Sequence, residues 1–226
     1  MSVARRLLIA PSILTADFGA LAEAARAAEA GGADLWHLDV MDGHFVPAIT
    51  FGASVVEVFR RASTLPIEVH LMVSNPADQF EAFAHAGAER LIFHFEATGE
   101  PATAIEAARG VGCEAGIAIN PETPPAAIRG LLPDLTEVNV MLIQPGRGGQ
   151  QMMPEHLAKV RTLRTWIDEA GLDTRIEVDG GVKARNIAEC AAAGVDIAVA
   201  GSAVFNESQT PAEALAELRA ALAAGR

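Results

Sequence analysis

The chain has 226 residues, half of them hydrophobic and a fifth charged, which fits one soluble globular domain with a sizeable core. Its formal net charge of −12 argues against nucleic acid or an anionic membrane as a bulk partner. An anionic substrate must then be held locally, by backbone amides or by one or two placed cations.

The N-terminus, MSVARRLLIAPS, carries two arginines before a short apolar run that stops at Pro11, too short for a signal-peptide core or a membrane span. Cys113 and Cys190 are the only cysteines and lack CxxC spacing, so both are read as free thiols. A cytoplasmic protein is expected. From this point one unit recurs, in which an apolar run leads through a polar loop into an Ala-rich helical pattern. The runs are LLIAPS (7–12), LWHLDVM (35–41), IEVHLMV (67–73), RLIFHFEA (90–97), CEAGIAIN (113–120), EVNVMLI (137–143), RIEVDGG (175–181) and DIAVAGSAVF (196–205). The spacing predicts helices near 17–30, 53–63, 77–86, 101–110, 123–131, 155–170, 184–193 and 212–224. Ala86-Gly87-Ala88 and Ala193-Gly194-Val195 look like helix C-caps leading into strands. Eight such alternations point to a (β/α)8 TIM barrel occupying the whole chain as one domain, and no GxGxxG follows the first strand to suggest a dinucleotide fold.

Barrel chemistry lies at the C-terminal ends of the strands. Four residues with metal-binding side chains, His37, Asp39, His70 and Asp179, fall there, and His37 and Asp39, two apart on a strand, share a face. Burying such groups is costly unless they are paired or bind a metal. Two imidazoles and two carboxylates make a cage for one divalent ion, and the alternative is a buried network of satisfied polar side chains. The donor set admits zinc, placed first here, as well as iron, manganese or cobalt. Met41 and Met72 each lie two residues after a proposed ligand, and Met141 sits on the sixth strand; they read either as a dry wall around the site or as core filling.

Phosphate sites in barrels form after strands 7 and 8, where Gly180-Gly181 and Gly201-Ser202 would let backbone N–H groups approach a dianion, helped by the start of a short helix. The loop Gln144-Pro145-Gly146-Arg147-Gly148-Gly149-Gln150, with three glycines in four residues, reads as a mobile lid or as a plain turn. Ser12 either bonds substrate or caps the helix that follows. His94 and Glu96 share a face of the fourth strand and are read as structural, because no complementary cluster surrounds them in the sequence.

Together these segments closely resemble ribulose-phosphate 3-epimerases, of the ribulose-phosphate-binding barrel superfamily. The resemblance runs through APSILTADF (10–18), HLDVMDGHFVP (37–47), VHLMV (69–73), INPETP (119–124), PGRGGQ (145–150), VDGGV (178–182) and VAGSAVF (199–205). It implies a divalent metal on His37, Asp39, His70 and Asp179, with Asp39 and Asp179 as the two proton acceptor/donors. It also implies substrate contacts from Ser12, His70, Gly146, Arg147, Gly148, Gly149, Gly180, Gly181, Gly201 and Ser202, and a homo-oligomer. The chain departs from the family pattern at three places. Ala48 stands where Asn is usual, and Leu142 and Arg147 stand where the family has a hydroxyl residue and an aromatic. The departures touch substrate choice more than reaction type.

The implied reaction epimerises C3 of D-ribulose 5-phosphate, giving D-xylulose 5-phosphate by two-sided proton transfer through an enediolate that the metal stabilises as a Lewis acid. One alternative is 3-epimerisation of another ketose phosphate, such as a hexulose 6-phosphate. A decarboxylase or aldolase is disfavoured, because Asp39-Val40-Met41-Asp42-Gly43-His44 lacks the lysine of an Asp-x-Lys-x-x-Asp pattern. A non-catalytic sugar-phosphate binder would have no need for two opposed carboxylates.

Overall fold

A computed structural model describes residues 6–225; residues 1–5 of the segment weighed above as a leader lie outside the described residues. Eight parallel strands follow one another around a ring: β1 (Leu8–Ala10), β2 (Trp36–Met41), β3 (Ile67–Met72), β4 (Arg90–His94), β5 (Glu114–Ile119), β6 (Glu137–Met141), β7 (Arg175–Asp179) and β8 (Ile197–Val199). The seam between β1 and β2 is joined by a parallel bridge from Ser12 to His37 and by the bonds Asp34 N–H to Ile9 O (3.0 Å) and His37 N–H to Pro11 O (3.2 Å). Asp34 secures the same seam, accepting from Ile9 N–H at 2.7 Å and from Arg219 of the last helix at 2.5 Å. The result is the (β/α)8 barrel that the alternation predicts.

Period-2 alternation divides each strand between two environments. Trp36, Leu38 and Val40 of β2, with Leu91 and Phe93 of β4 and Val138 and Val140 of β6, belong to the apolar layer between sheet and helices. There Trp36 meets Phe59 edge-on at 4.8 Å, and Phe80 meets Phe93 at 5.5 Å. Full burial of each large side chain contributes about 1.5–3 kcal/mol over leaving it exposed. The intervening residues, His37, Asp39, Glu68, His70, Arg90, Glu137 and Glu177, turn into the barrel, which is rich in ionisable groups and buries them almost completely.

The helices are α1 (Leu21–Ala30), α2 (Ala53–Ala62), α3 (Phe80–Ala86), α4 (Pro101–Gly110), α5 (Leu157–Ala170), α6 (Ile187–Ala193) and α7 (Pro211–Ala224). Gly87 and Gly194 close α3 and α6 in the left-handed conformation, as expected (φ 105° and 101°). The helix expected at 123–131 is instead a 3-10 segment, Pro125–Asp134. Pro124, Pro125 and Pro133 supply no N–H, and Pro133 clashes with the carbonyl four residues back in an α-helix. The turn after β8 is also no helix: Val204 and Phe205 N–H both return to Gly201 O, at 2.8 and 2.9 Å. No helix among the described residues is long and apolar enough to cross a membrane.

Candidate active site and metal centre

Strand register brings the four ligand-type residues together. Asp39 on β2 pairs with His70 on β3, and Asp179 ends β7 three places around the ring from β2. One donor atom from each of His37, Asp39, His70 and Asp179 lies within 4.8 Å of all the others. His37 Nε2 is 3.3 Å from Asp39 Oδ1 and 3.9 Å from Asp179 Oδ2, and His70 Nδ1 is 3.0 and 3.7 Å from the same two oxygens. The two imidazole nitrogens are 3.3 Å apart. Ligands about 2.0–2.1 Å from a tetrahedral ion would be separated by roughly 3.3–3.4 Å. These side chains therefore fit a single divalent cation of that size, and both imidazoles turn a nitrogen to the same point.

The surroundings orient both rings. His37 Nδ1 lies 2.8 Å from Glu68 Oε1, and Arg90 holds the other oxygen of Glu68 at 2.8 Å. His70 Nε2 lies 2.9 Å from His94 Nε2, and His94 Nδ1 lies 3.2 Å from Glu96 Oε2. The reading of His94 and Glu96 as isolated structural residues is therefore corrected: their complementary group is His70, on the neighbouring strand. Burial pushes Asp39 up, but the charge of His37 and the bonds from His37 and His70 outweigh it and hold this carboxyl well below the usual range. Asp179 goes the other way, to about 6, through burial and the charge of Asp39. His37 is raised well above its ordinary value, because Glu177 and Asp39 outweigh its burial. Burial lowers His94 to about 4.

Above this cluster opens a cleft. Ser12, Asp39, Met41, Met72, Met141, Gly146, Arg147, Gly148, Gly149, Asp179, Gly180, Gly181, Gly201 and Ser202 all line it, whereas His37 and His70 lie beneath, fully buried. Leu14, Thr15 and Ile143 also line it and carried no signal in the sequence beyond being apolar or small. Of the two roles considered for Ser12, the cap is present: its hydroxyl accepts from Leu14 N–H at 3.3 Å, capping the turn Ile13–Thr15, and donates to Asp39 Oδ2 at 2.5 Å. Met41 and Met72 pack with Val46, against Leu14 and Phe45, so they are wall and core at once. At Gly181, with φ +68°, a Cβ would collide with the Met152 backbone, so only glycine brings the chain this close. Gln150 ties the glycine-rich loop to itself, its amide donating to Gln144 O and Arg147 O at 2.8 Å each. Of the three departures, Arg147 alone reaches the cleft; Leu142 is buried in the helix-facing layer, and Ala48 packs behind Met41 and Met72.

The model of the ribulose-phosphate 3-epimerase family matches residues 8–205, nearly the whole described barrel. The chain belongs to this family. It is 48% identical to the ribulose-phosphate 3-epimerase of Treponema pallidum over 202 residues, covering 89% of this chain and 93% of that protein. It is 46% identical over 205 residues to the enzyme of Escherichia coli K12, covering 90% and 91%. Among solved structures, KGPDC from Streptococcus mutans in complex with D-R5P superposes with a TM-score of 0.74 at 16% identity, covering 96% and 98% of the two chains, which shows a shared fold. The four-residue cluster and the glycine-rich rim lie at the C-terminal ends of the barrel strands.

Proposed function

We propose that the chain is a metal-dependent ribulose-phosphate 3-epimerase, which interconverts D-ribulose 5-phosphate and D-xylulose 5-phosphate by two-base proton transfer at C3. Family membership supports the reaction, and the convergence of Asp39 and Asp179 on one cleft from strands three places apart carries the mechanism. One carboxylate takes the C3 proton from one face of the sugar; the other delivers a proton to the opposite face. In the metal-free protein their environments differ: Asp39 is held well below the usual carboxylate range, while Asp179 is raised to about 6. Ser12 holds Asp39 by its Oδ2 and leaves the carboxylate one orientation.

His37, Asp39, His70 and Asp179 would hold the divalent ion, zinc first by its fit to a tetrahedral site, which supplies Lewis-acid stabilisation of the charge that develops on the sugar oxygens. Proton transfer by positioned acids and bases gives about 10²–10⁴-fold each, roughly 3–5 kcal/mol, against a usual total of about 8–23 kcal/mol. Two carboxylates alone therefore cover only the lower part of that range, and charge stabilisation has to supply the rest. Met41, Met72 and Met141 exclude water from the reacting face. Backbone N–H groups of Gly180, Gly181, Gly201 and Ser202 would take the phosphate, with the loop Gly146–Gly149 over it.

The test is NMR of the metal-loaded protein with D-ribulose 5-phosphate in deuterated water. Deuterium at C3 together with D-xylulose 5-phosphate is the expected result; exchange with no epimer would remove the second base. A second reading, 3-epimerisation of a longer ketose phosphate, draws on Arg147, a cation on the cleft rim. A profile in which hexulose 6-phosphates outrank ribulose 5-phosphate would establish it instead.

A further inference from the structure

We infer that His94 and Glu96 are positioning residues of the metal centre: they lock His70 in the tautomer that turns a bare Nδ1 toward the cation. The inference rests on the metal-centre reading above. Donors and acceptors alternate along a chain that runs from the outside of the barrel inward. Both oxygens of the Glu96 carboxylate are engaged, Oε1 by Asn120 N–H at 2.8 Å and by the Thr123 hydroxyl, and Oε2 by His94 Nδ1 at 3.2 Å. A carboxylate only accepts, so His94 Nδ1 must carry the hydrogen. A neutral His94 is then bare at Nε2, and that nitrogen faces His70 Nε2 at 2.9 Å. His70 must therefore place its one hydrogen on Nε2, which leaves Nδ1 bare on the side of Asp39 and Asp179. The two rings are 26° apart in plane with centroids 5.0 Å apart, close enough to coplanar for an in-plane N–H···N bond.

The opposite tautomer is available to His70 in principle. His70 Nδ1–H would donate to Asp39 Oδ1 at 3.0 Å, and a cation would lose the His70 nitrogen. That state needs His94 Nε2–H, which sets a bare His94 Nδ1 against the Glu96 carboxylate, lone pair against lone pair. Glu96 thus excludes the unproductive state from two side chains away. Its own position is secured by Lys159 of α5, whose ammonium donates to Asn120 O (2.9 Å), Pro121 O (2.6 Å) and Thr123 O (2.7 Å) and so holds the loop that grips Glu96. His37 has a carboxylate, Glu68, directly on its outer nitrogen, whereas His70 reaches its carboxylate through an interposed imidazole.

The experiment measures zinc affinity of the metal-free protein by competition with a chromophoric chelator, for the natural sequence, Glu96→Gln, His94→Gln and the double variant. Cobalt(II) absorption reports on the ligand set, and the melting temperature of each metal-free protein reports on the fold. The side-chain amide introduced by Glu96→Gln can donate to a bare His94 Nδ1 and so releases the lock. Each single variant is expected to bind zinc about 10–100-fold more weakly, with an altered cobalt spectrum. The double variant is expected to be no worse than the weaker single one, because Glu96 acts only through His94. Unchanged affinity in Glu96→Gln, or losses that add in the double variant, overturns the inference, and Glu96→Gln alone decides it if His94→Gln fails to fold. His70→Gln binding zinc as tightly as the natural sequence overturns the metal-centre reading itself, and the inference with it.

Discussion

At the upper end of the barrel, Asp39 and Asp179 face His37 and His70, and no arginine or lysine pairs with either aspartate among the described residues. One layer down, Glu68 and Glu137 share the guanidinium of Arg90, each at 2.8 Å, and Glu114 joins from the rim. Both layers bury ionisable groups that would be costly alone. The lower layer carries its own cation, fixed by these carboxylates, and Glu68, Glu137 and Arg90 are buried. The upper layer has acceptors converging on one point, opens into a cleft, and leaves its cation to be supplied from outside. The difference separates a structural charge network from a candidate binding site, although the two use the same residue types in the same barrel.

The largest effect that would break this contrast is on turnover. Asp39→Asn or Asp179→Asn should lower kcat by about 10⁴-fold or more, because each removes a proton-transfer group and a metal ligand together. Near-normal turnover in either variant, in a coupled assay of xylulose 5-phosphate, would end the two-base scheme. The metal-free Asp179→Asn variant should fold as well as the natural sequence, since it removes a carboxyl whose ionisation is disfavoured, whereas Asp39→Asn gives up its pairing with His37 and should be somewhat less stable.

Arg90→Met tests the lower layer in the opposite sense. Removing one partner from a buried ion pair leaves carboxylates uncompensated and costs about 3–5 kcal/mol. Urea unfolding of the metal-free protein should show that loss, while added zinc restores none of it specifically. A neutral or stabilising effect would mean that the carboxylates of the lower layer take up protons freely enough not to need Arg90.

Zinc itself should stabilise only through the upper layer, by about 2.7 kcal/mol at a free concentration of one hundred times Kd. Asp179, raised to about 6, and His37, raised well above its ordinary value, both hold protons that the ion must displace. Affinity should therefore fall as pH drops through 6, with protons released on binding; calorimetry in two buffers of different ionisation enthalpy measures this. A flat affinity across that acidic window would contradict the shifts.

The smallest effect is a slope. Burial and the charge of Glu68 raise Glu137 to about 8 from an ordinary value of 4.5. A carboxyl raised in the folded state binds its proton more tightly there than in the unfolded chain. Its contribution is thus fully present below pH 4.5 and is lost as pH rises through 8. Glu137→Gln should flatten the decline of unfolding free energy over that window, and identical slopes for the two proteins would show that Arg90 holds Glu137 ionised throughout.

Much of this was legible in the chain itself, for identifiable reasons. The period of 2 in LWHLDVM and IEVHLMV places His37 and Asp39 on one face and the apolar residues on the other, whatever the rest of the fold does. Gly87 and Gly194 mark helix ends because only glycine adopts their positive φ cheaply. The order of strands and helices follows from the same repeated punctuation. Even the departures Leu142 and Arg147 were visible, although not which of them faces the cleft.

Tertiary structure decided the partners. Alternation says which face a side chain takes, but register across a closed barrel says whom it meets, and that depends on how far each strand is sheared against the next. So His94 and Glu96 looked isolated in their own run until β3 set His70 beside His94; Glu96 itself lies in the 3-10 turn just past the strand. Arg90, one polar residue at the start of an apolar run, gave no sign that it would neutralise Glu68 and Glu137 from other strands. The prolines around the 3-10 segment were in plain view, yet their effect on its hydrogen-bond pattern emerged only in the folded chain. Sequence set the ligand types and their faces; barrel closure, by bringing β1 and β8 round to β2, made them one site.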